Sequence, residues 1–521
     1  MTVREPDRRP RQRASEFLRV ASLYQLGVLP TEQPHPRTLE LSRWALHDLP
    51  RAIATLKAVD LDALGMLQQY VASIDRLARR VVATLEKGRR IYLCGCGATG
   101  RLSLSLEYLW RGRHPGSDQV RSFMAGGDIA LVHSLEGFED HPGYGARHLE
   151  QMGYEDGDLL IACTEGGETP YVIGATERAA QLSTNRPIFL YCNPDAILAG
   201  HIERFRRVQD NPRIETMCLD VGPMALTGST RMQASTVLQL AVGVALLQPE
   251  IDTGESIASF RALVAASDLS FLSRFIEAEA RVYASGDHVT YQTSQYGITV
   301  LTDTTERAPT FSLVPFDQLN TRTGSHSLCY VSLDSAADAS QAWMQLLSRP
   351  PRPLNWPEVD PRTTPEYLAE FDFSARAVAR RQGQLPGKTH HVFRIGRSSA
   401  GIGMEFDGHI HDLSAADTPE LFDHLLLKQT LNIHSTLVMG RLGRYEGNLM
   451  TWVSPTNGKL VDRAARYVGH LLERRGSVSR SYEEIVHQLF CEMDRAAPDE
   501  PVVLRTFRSL LRHRGAKNVS S

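Results

Sequence analysis

A short apolar segment that runs straight into a glycine-rich turn restricts the fold of this chain more than any other feature. Residues 90–94 (RIYLC) have the pattern of a buried strand, residues 95–100 form the turn, and a helix is predicted from about Arg101. Helical segments such as 170–182 alternate with further buried-strand patterns at residues 159–163, 187–192 and 216–221. Such alternation is typical of a parallel sheet with helices on both faces, so the sequence predicts an α/β fold.

A second unit of the same kind begins near Ala280. Its strand patterns lie at residues 281–286, 288–292, 328–333 and 391–395. A helix is predicted at residues 297–303, and residues 401–408 have the pattern of a hairpin. When residues 90–109 are shifted by 197 positions, Gly100 falls on Gly297 and Leu109 falls on Glu306. The order of strand, turn and helix is the same in both copies, which indicates two related units in tandem.

Helical segments flank the two units, and the chain divides into four predicted regions. Residues 1–30 are predicted as a basic flexible tail, because residues 1–13 are rich in arginine and proline. Residues 31–250 hold N-terminal helices and the first α/β domain, and residues 251–455 hold the second. Residues 456–521 are predicted as a helical C-terminal cap.

Composition excludes several classes of protein. The 521 residues are 42% apolar and 22% charged, as in ordinary globular domains, and the net charge is −3. Such a balance gives no general attraction to nucleic acid or to an anionic membrane, and neither is an expected partner. No apolar run approaches the roughly 20 residues of a membrane span, and no signal peptide is apparent. Seven scattered cysteines without metal-binding spacing predict a reduced, cytoplasmic protein that holds no metal ion.

The first motif with chemical meaning is the turn Gly95-Cys96-Gly97-Ala98-Thr99-Gly100. Gly97 and Gly100 let a ligand approach the backbone, and Thr99 adds a hydroxyl group. The start of the following helix favours an anion such as phosphate. The spacing matches neither the dinucleotide fingerprint nor the P-loop. A tight turn without a ligand is the alternative interpretation.

Three further motifs carry hydroxyl groups or acids, and each has a plainer alternative. Ser229 and Thr230 supply hydroxyl donors, although the same residues are common caps at the start of a helix. The acidic stretch 136–140 contains Glu139, and three acids in five residues are also typical of a solvated loop. Glu306 ends an apolar helical segment, where it is either a site residue or a surface residue.

In this order, the motifs resemble those of N-acetylmuramic acid 6-phosphate etherases and of vertebrate glucokinase regulatory protein. Both are built on the sugar isomerase (SIS) domain, a flavodoxin-like α/β fold that binds phosphosugars. The resemblance spans roughly residues 31–470, through the segments 31–33, 95–101, 125–128, 136–140, 169–173, 192–194, 228–232, 431–436, 447–450 and 456–460. It implies two tandem SIS domains, each a parallel sheet flanked by helices, as in the regulatory protein.

The resemblance also implies a site. The etherases have one SIS domain and act as dimers, so a tandem is expected to imitate that dimer within one chain. The chain is then a monomer with an internal pseudo-dimer, or a homodimer. Glu139 and Glu306 match the two important family glutamates, whereas Leu109 occupies the place of Glu306 in the first domain. One composite site between the domains follows, and its mirror site should be inactive.

Further residues are implied to hold the substrate, a sugar phosphate. Lys459 matches a family lysine that approaches the phosphate. The residues expected to bind the substrate are Gly97, Thr99, Gly100, Thr164, Gly166, Ser229, Thr230 and Lys459. The second phosphate loop departs from the family pattern, because Glu165 and Glu168 place acid near an expected phosphate. Gln233 stands where the family has a lysine, and like charge near a phosphate weakens binding unless a cation intervenes.

Two functions follow from the resemblance. The first is an etherase, a carbon–oxygen lyase that removes D-lactate from C3 of an open-chain amino sugar phosphate and then adds water, without a cofactor. Glu306 is then the acid for the leaving oxygen and Glu139 the base-side partner. The second is a non-catalytic sensor that binds a sugar phosphate and regulates a sugar kinase, the partner that this hypothesis requires. An aldose–ketose isomerase is a third alternative, which the etherase-type segment near residues 431–459 disfavours.

Overall fold

The computed structural model describes residues 10–24, 26–321, 326–414, 417–476, 479–497 and 500–512. The strands are β1 (Ile91–Gly95), β2 (Val120–Met124), β3 (Leu159–Cys163), β4 (Ile188–Tyr191), β5 (Glu215–Cys218), β6 (His288–Thr293), β7 (Cys329–Leu333), β8 (His390–Ser398), β9 (Gly401–Phe406) and β10 (His409–Ser414). The helices before β6 are α1 (Pro10–Val20), α2 (Leu41–His47), α3 (Leu49–Leu67), α4 (Val71–Glu86), α5 (Ala98–Arg113), α6 (Pro142–Gln151), α7 (Pro170–Leu182), α8 (Asp195–His201), α9 (Glu203–Gln209), α10 (Gln233–Leu247), α11 (Thr253–Ala266) and α12 (Leu272–Ala284). Those after β6 are α13 (Gly297–Phe311), α14 (Ala339–Leu347), α15 (Pro365–Leu368), α16 (Ala375–Gln384), α17 (Glu420–Arg441), α18 (Gly458–Arg474), α19 (Tyr482–Met493) and α20 (Val502–Arg512).

The first sheet has the strand order β2-β1-β3-β4-β5, and all of its strands are parallel. Every side chain of β1, β3 and β4 is buried, as expected for strands that are covered on both faces. Helices α4, α5 and α7 pack against these strands. Because the strands are parallel, the turns that follow β1 and β3 emerge at the same edge of the sheet.

The second sheet has the order β10-β9-β8-β6-β7 and is only partly parallel. Strand β6 is parallel to both of its neighbours, whereas β8, β9 and β10 form antiparallel pairs. The turn between β9 and β10 contains Asp407 at φ +49° and Gly408 at φ +78°. Two consecutive residues with positive φ are typical of a tight hairpin turn. A hairpin therefore forms where one was predicted, but residues 401–408 hold only its first strand and its turn, and the second strand extends to Ser414.

Two long apolar helices lie in the interior and join the two units. All side chains of α10 are buried, and so are those of residues 421–440 in α17. Helix α17 packs against α3 and α10 from the first unit and against α12 and α13 from the second. Helices α5 and α13, which follow the first strand of each unit, also pack against each other. This contact brings the glycine-rich turn after β1 close to α13, the helix that carries Glu306.

The N-terminal segment differs from the prediction. Residues 10–20, part of the predicted flexible tail 1–30, form helix α1, and Ala14 and Phe17 on this helix are buried. They are buried because α1 packs against α19 of the C-terminal helices. Residues 1–9 and 513–521 lie outside the described residues. The predicted C-terminal cap contains helices α18, α19 and α20.

Two local predictions also differ from the structure. Residues 281–286, predicted as a strand, contain the end of α12, and strand β2 was not predicted.

All seven cysteines are free thiols. None of the helices in the described ranges combines the length and the apolar composition that crossing a bilayer requires.

Candidate active site

A cavity of about 170 Å³ lies where the two units meet. Its walls come from the turn after β1, the loop after β3, helix α13 and the first turns of α18. Of the residues predicted to form the site, those that line the cavity are Gly97, Glu139, Gly166, Ser229, Thr230, Glu306 and Lys459. The structure therefore brings Glu139 of the first unit and Glu306 of the second unit to one cavity.

The remaining three predicted residues shape the loops behind the cavity. The Thr99 hydroxyl accepts a hydrogen bond from the Cys96 amide at 3.0 Å and donates one to the Cys96 carbonyl at 2.8 Å. A Cβ atom on Gly100 would lie 2.5 Å from Cβ of Met124, so this glycine permits close packing of α5 on β2. The hydroxyl of Thr164 is hydrogen bonded to the hydroxyl of Thr169 at 3.0 Å. Because of these contacts, the hydroxyl groups of Thr99 and Thr164 bind neighbouring protein groups, and neither residue lines the cavity.

Gly97 and Ser229 line the cavity, and each carries a group that can donate a hydrogen bond. Gly97 immediately precedes α5 and has φ +53°, a conformation that favours glycine, so its backbone amide can face the cavity without a side chain in front of it. The Ser229 hydroxyl is buried and, among the described residues, forms no hydrogen bond. A helix start and an unpartnered hydroxyl are suited to bind an anionic or polyhydroxylated ligand.

Glu306 of the second unit is bound by an arginine of the first unit. The Arg101 guanidinium donates to Oε1 of Glu306, and it also donates to the carbonyl oxygen of Ala130 at 2.7 Å. Arg101 is 1% exposed, so this ion pair is buried between α5 and α13. The pair holds the Glu306 carboxylate at the edge of the cavity.

Glu139 is bound by Lys459. The Lys459 Nζ atom lies 2.9 Å from Oε1 of Glu139 and 3.1 Å from Oε1 of Glu168. Lys459 belongs to the first turn of α18, whose start is capped by the Asn457 side chain. The cap thus positions the lysine between the two carboxylates.

The two acidic residues that depart from the family pattern have opposite electrostatic environments. Burial alone would raise the pKa of Glu168, but Lys459 and Arg204 more than offset it and lower that pKa to about 2. Burial raises the pKa of Glu165 to about 8, and the nearby carboxylate of Glu306 adds to this shift. At neutral pH Glu168 is therefore ionised, and the positive charges of Lys459 and Arg204 balance its negative charge. Glu165, in contrast, retains its proton. The expected clash of two charged acids with a phosphate is largely removed.

Sequence reasoning missed several charged residues that line the cavity. Arg231 donates to Oδ1 of Asp303 at 2.9 Å, and Arg463 donates to the buried carboxylate of Glu32. Arg101 and Arg231 belong to the motifs at residues 95–101 and 228–232. Their positions in these motifs could have identified them as residues of the site. Arg463 has only its position one helical turn after Lys459.

Gln233, where the family has a lysine, is buried beside the cavity and does not line it. Its Nε2 atom donates to the Asp60 carboxylate at 2.5 Å, and its Oε1 accepts from the Ala225 amide at 3.0 Å. Lys428 of α17 lies close by and donates to the carbonyl oxygen of Arg231 at 2.9 Å. Burial lowers the pKa of Lys428 to about 7 and raises the pKa of Asp60 to about 7.

The chain is similar to several known proteins. Residues 73–180 match the family described as the glucokinase regulatory protein N-terminal SIS domain. N-acetylmuramic acid 6-phosphate etherase of Mesorhizobium japonicum is 31% identical over 238 residues, which are 44% of this chain and 71% of the relative. The etherase of Erwinia tasmaniensis is 30% identical over 48% of this chain and 77% of its own length. The crystal structure of tagatose-6-phosphate ketose/aldose isomerase from Escherichia coli aligns at 13% identity over 75% of this chain and 94% of its own, with a TM-score of 0.43.

Two α/β units, each with a central strand, a glycine-containing helix start and parallel neighbours, define a tandem protein of the SIS fold. Within this fold class, the identity to the etherases is high enough, and covers enough of their length, to decide the family. The chain belongs to the N-acetylmuramic acid 6-phosphate etherase family.

Proposed function

We propose that the chain is an etherase, a carbon–oxygen lyase that removes D-lactate from N-acetylmuramic acid 6-phosphate at the cavity between its two units. The observation that carries the proposal is the position of Glu139 and Glu306, one from each unit, on the same cavity together with Lys459. The names of the relatives from Mesorhizobium japonicum and Erwinia tasmaniensis support the same reaction. The proposal places the reaction in the cytoplasm, where free thiols stay reduced.

The chemistry requires carboxyl groups on both sides of one sugar. In the open-chain form, the aldehyde at C1 acidifies the proton on C2, and a carboxylate can remove it. The bond between C3 and the lactyl oxygen then breaks, and water adds to C3. Glu139 and Glu306 are the carboxyl groups proposed to serve these proton transfers.

The phosphate is proposed to bind between Lys459 and the start of α5. Lys459 supplies a positive charge, the turn at Gly97 supplies a helix start, and Ser229 supplies an unpartnered hydroxyl. Lys459 forms ion pairs with Glu139 and Glu168. A bound phosphate would compete with these carboxylates for the ammonium group.

Release of D-lactate from N-acetylmuramic acid 6-phosphate by the purified full chain tests the proposal. We expect Glu139→Gln and Glu306→Gln each to lower kcat by at least about 100-fold, because each removes a proton-transfer group. Glu150→Gln is the control, since Glu150 lies on the surface of α6 and pairs with Arg178 away from the cavity. Undiminished release in both cavity variants, or no release by the natural chain, contradicts the proposal.

A non-catalytic sensor of a sugar phosphate is the second candidate. The match of residues 73–180 to the N-terminal SIS domain of glucokinase regulatory protein, together with the tandem arrangement, favours it. A sensor would be stabilised against heat by the sugar phosphate and would release no D-lactate. Its proposed partner is then a sugar kinase, which co-purification in the presence of the sugar phosphate would detect.

A further inference from the structure

Residues 349–358, the cross-unit segment, belong to the second unit but pack against the first. The segment follows α14, and four of its ten residues are prolines. Because a proline ring fixes φ, few conformations are open to the segment. Its contacts reach both halves of the loop between β2 and α6, the loop that carries Glu139. A restricted segment of this kind can hold the loop in one position.

Two arginines attach the start of the cross-unit segment to the first half of this loop. The buried guanidinium of Arg349 donates to both carboxylate oxygens of Asp128, at 2.6 and 3.2 Å, and to the Glu107 carboxylate at 3.1 Å. The backbone amide of Arg352 donates to Oδ2 of Asp128 at 2.6 Å. Paired hydrogen bonds between a guanidinium and a carboxylate are strong and specific in geometry. The segment is therefore fixed on the loop just after β2.

The end of the cross-unit segment packs beside Glu139. Trp356 is 1% exposed, and its ring is stacked on Phe138, the residue before Glu139, with the ring centroids 6.1 Å apart. The ring centroid of Tyr144 lies 5.9 Å from that of Trp356 and 5.4 Å from that of Phe138. The indole N–H of Trp356 donates to Oε1 of Gln151 at 2.8 Å, which fixes the orientation of the ring. A shift of Phe138 must therefore displace a buried, hydrogen-bonded indole.

Glu139 has a special need for such support when the substrate is bound. Its carboxylate contacts the Lys459 ammonium, the group for which a bound phosphate is proposed to compete. Two contacts near Glu139 do not depend on Lys459. The Tyr171 amide donates to the Glu139 carbonyl oxygen at 3.0 Å, and the preceding Phe138 packs on Trp356. These contacts keep the backbone of Glu139 in place while its ion pair is weakened.

We propose that the cross-unit segment positions Glu139 and that Trp356 is the positioning residue, which acts by packing on Phe138. The inference rests on the proposed etherase function, in which Glu139 serves proton transfer. A misplacement of about 1 Å at a reacting group costs about 100-fold in rate, whereas the other residues of the cavity still bind the substrate. The second unit then contributes Glu306 to the site and also the support of Glu139.

Trp356→Leu tests this role, with Trp343→Leu as the matched control. Trp343 is also a buried tryptophan of the second unit, and its partners Phe371, whose carbonyl accepts from the indole N–H at 3.2 Å, and Phe373 belong to that unit. We expect Trp356→Leu to lower kcat for D-lactate release from N-acetylmuramic acid 6-phosphate about 10- to 100-fold, with KM changed less than about threefold. Trp343→Leu should leave kcat within about threefold of the natural value. Trp356→Phe, which keeps a ring on Phe138, should recover part of the rate.

A double-mutant cycle shows whether Trp356 acts through Glu139. In a chain that already carries Glu139→Gln, the exact position of this side chain no longer affects proton transfer. Trp356→Leu should therefore lower the residual kcat less than about threefold in that chain. An equal loss with and without Glu139→Gln overturns the positioning role. So does an equal loss in Trp343→Leu, an effect confined to KM, or an unchanged kcat in Trp356→Leu, and each of these leaves the etherase proposal intact.

Hydrogen exchange of the backbone amides tests the same contact without turnover. Trp356→Leu should speed exchange in the peptide of residues 137–144, and Trp343→Leu should not. If the natural chain releases no D-lactate, the proposed function fails and exchange decides the positioning role. Faster exchange confined to this peptide supports it, and exchange that is unchanged there or equally faster throughout the chain overturns it. If Trp356→Leu does not fold, Phe138→Leu, which removes the other ring of the stack, takes its place in both measurements.

Discussion

The two α/β units of the chain begin alike and end differently. In each unit a central strand, β1 or β6, is followed by a helix and has one parallel neighbour on each side. The first sheet continues with two more parallel strands, whereas the second ends in an antiparallel hairpin. The shift of 197 positions detects only the strand, turn and helix that both units share. The strands at the outer edge of each sheet differ between the units.

The units also differ at the two turns that the shift of 197 positions places on each other, the turn after β1 and the turn after β6. One position is the open cavity, whereas the turn after β6 is filled by aromatic rings. The ring centroids of Tyr296 and His424 lie 5.2 Å apart, and those of Tyr108 and His424 lie 5.7 Å apart. The Tyr108 hydroxyl also donates to the Gln295 carbonyl at 3.2 Å. The comparison teaches that the turn after β1 borders an open cavity, whereas aromatic side chains pack at the turn after β6.

The largest expected effect is a difference in kcat between a variant at the cavity and a variant near the turn after β6. Glu306→Gln should lower kcat for D-lactate release at least about 100-fold, because it removes a carboxyl group from the cavity. Tyr108→Phe, at the neighbouring mirror position on α5, should leave kcat unchanged. Steady-state rates of both variants check this. An equal loss in both variants would break the comparison.

The next effect concerns the ion pair that joins the units at the cavity. Arg101→Met should lower the free energy of unfolding by about 3–5 kcal/mol, because it leaves the Glu306 carboxylate buried without a cation. Arg281→Met is the control, since Arg281 pairs with Asp407 at 3.7 Å on the surface and is worth at most about 1 kcal/mol. Urea unfolding of both variants measures the difference. Equal changes would show that the Arg101 pair is not effectively buried.

A third expectation uses the raised pKa of Glu165. The unfolded chain ionises this group at its ordinary pKa, and the folded chain only near pH 8, so the natural chain loses stability as the pH rises between those values. Glu165→Gln should remove that loss, and its advantage should grow by at most about 1.4 kcal/mol per pH unit. Urea unfolding at several pH values measures this slope. Parallel pH dependences for the variant and the natural chain would contradict a protonated Glu165.

The smallest effect sharpens the description of the closed position. Tyr108→Phe removes the hydrogen bond to the Gln295 carbonyl and should cost about 0.5–1.5 kcal/mol. Thermal unfolding measures the change, with the natural chain as reference. A stability equal to that of the natural chain would mean that ring packing alone closes the mirror position.

Much of the fold could be predicted because its signals are local. Buried strands such as β3 and helices such as α7 and α17 show in the apolar pattern of the sequence. Strand β2 was missed because Arg121 and Ser122 interrupt its pattern, and buried Ser122 is satisfied by the distant Glu107 carboxylate. Helix α1 was missed because α19, which covers it, lies at the other end of the chain.

The candidate site could be predicted in its motifs but not in its pairings. Glu139, Glu306 and Lys459 were named from the sequence, and all three line the cavity. The ion pair of Arg101 with Glu306 joins residues 205 positions apart, and no local pattern encodes such a contact. The protonation of Glu165 depends on burial and on neighbours from other loops, which only a folded structure supplies.

The number of sugar phosphate molecules bound per chain tests the central claim most directly. Isothermal titration calorimetry of the natural full chain with N-acetylglucosamine 6-phosphate, the product that elimination and hydration would leave, gives this number. An open cavity and a closed mirror position predict one molecule per chain, and Lys459→Met should weaken its binding. Two equivalent molecules per chain would contradict the account, because the mirror position would then also be open.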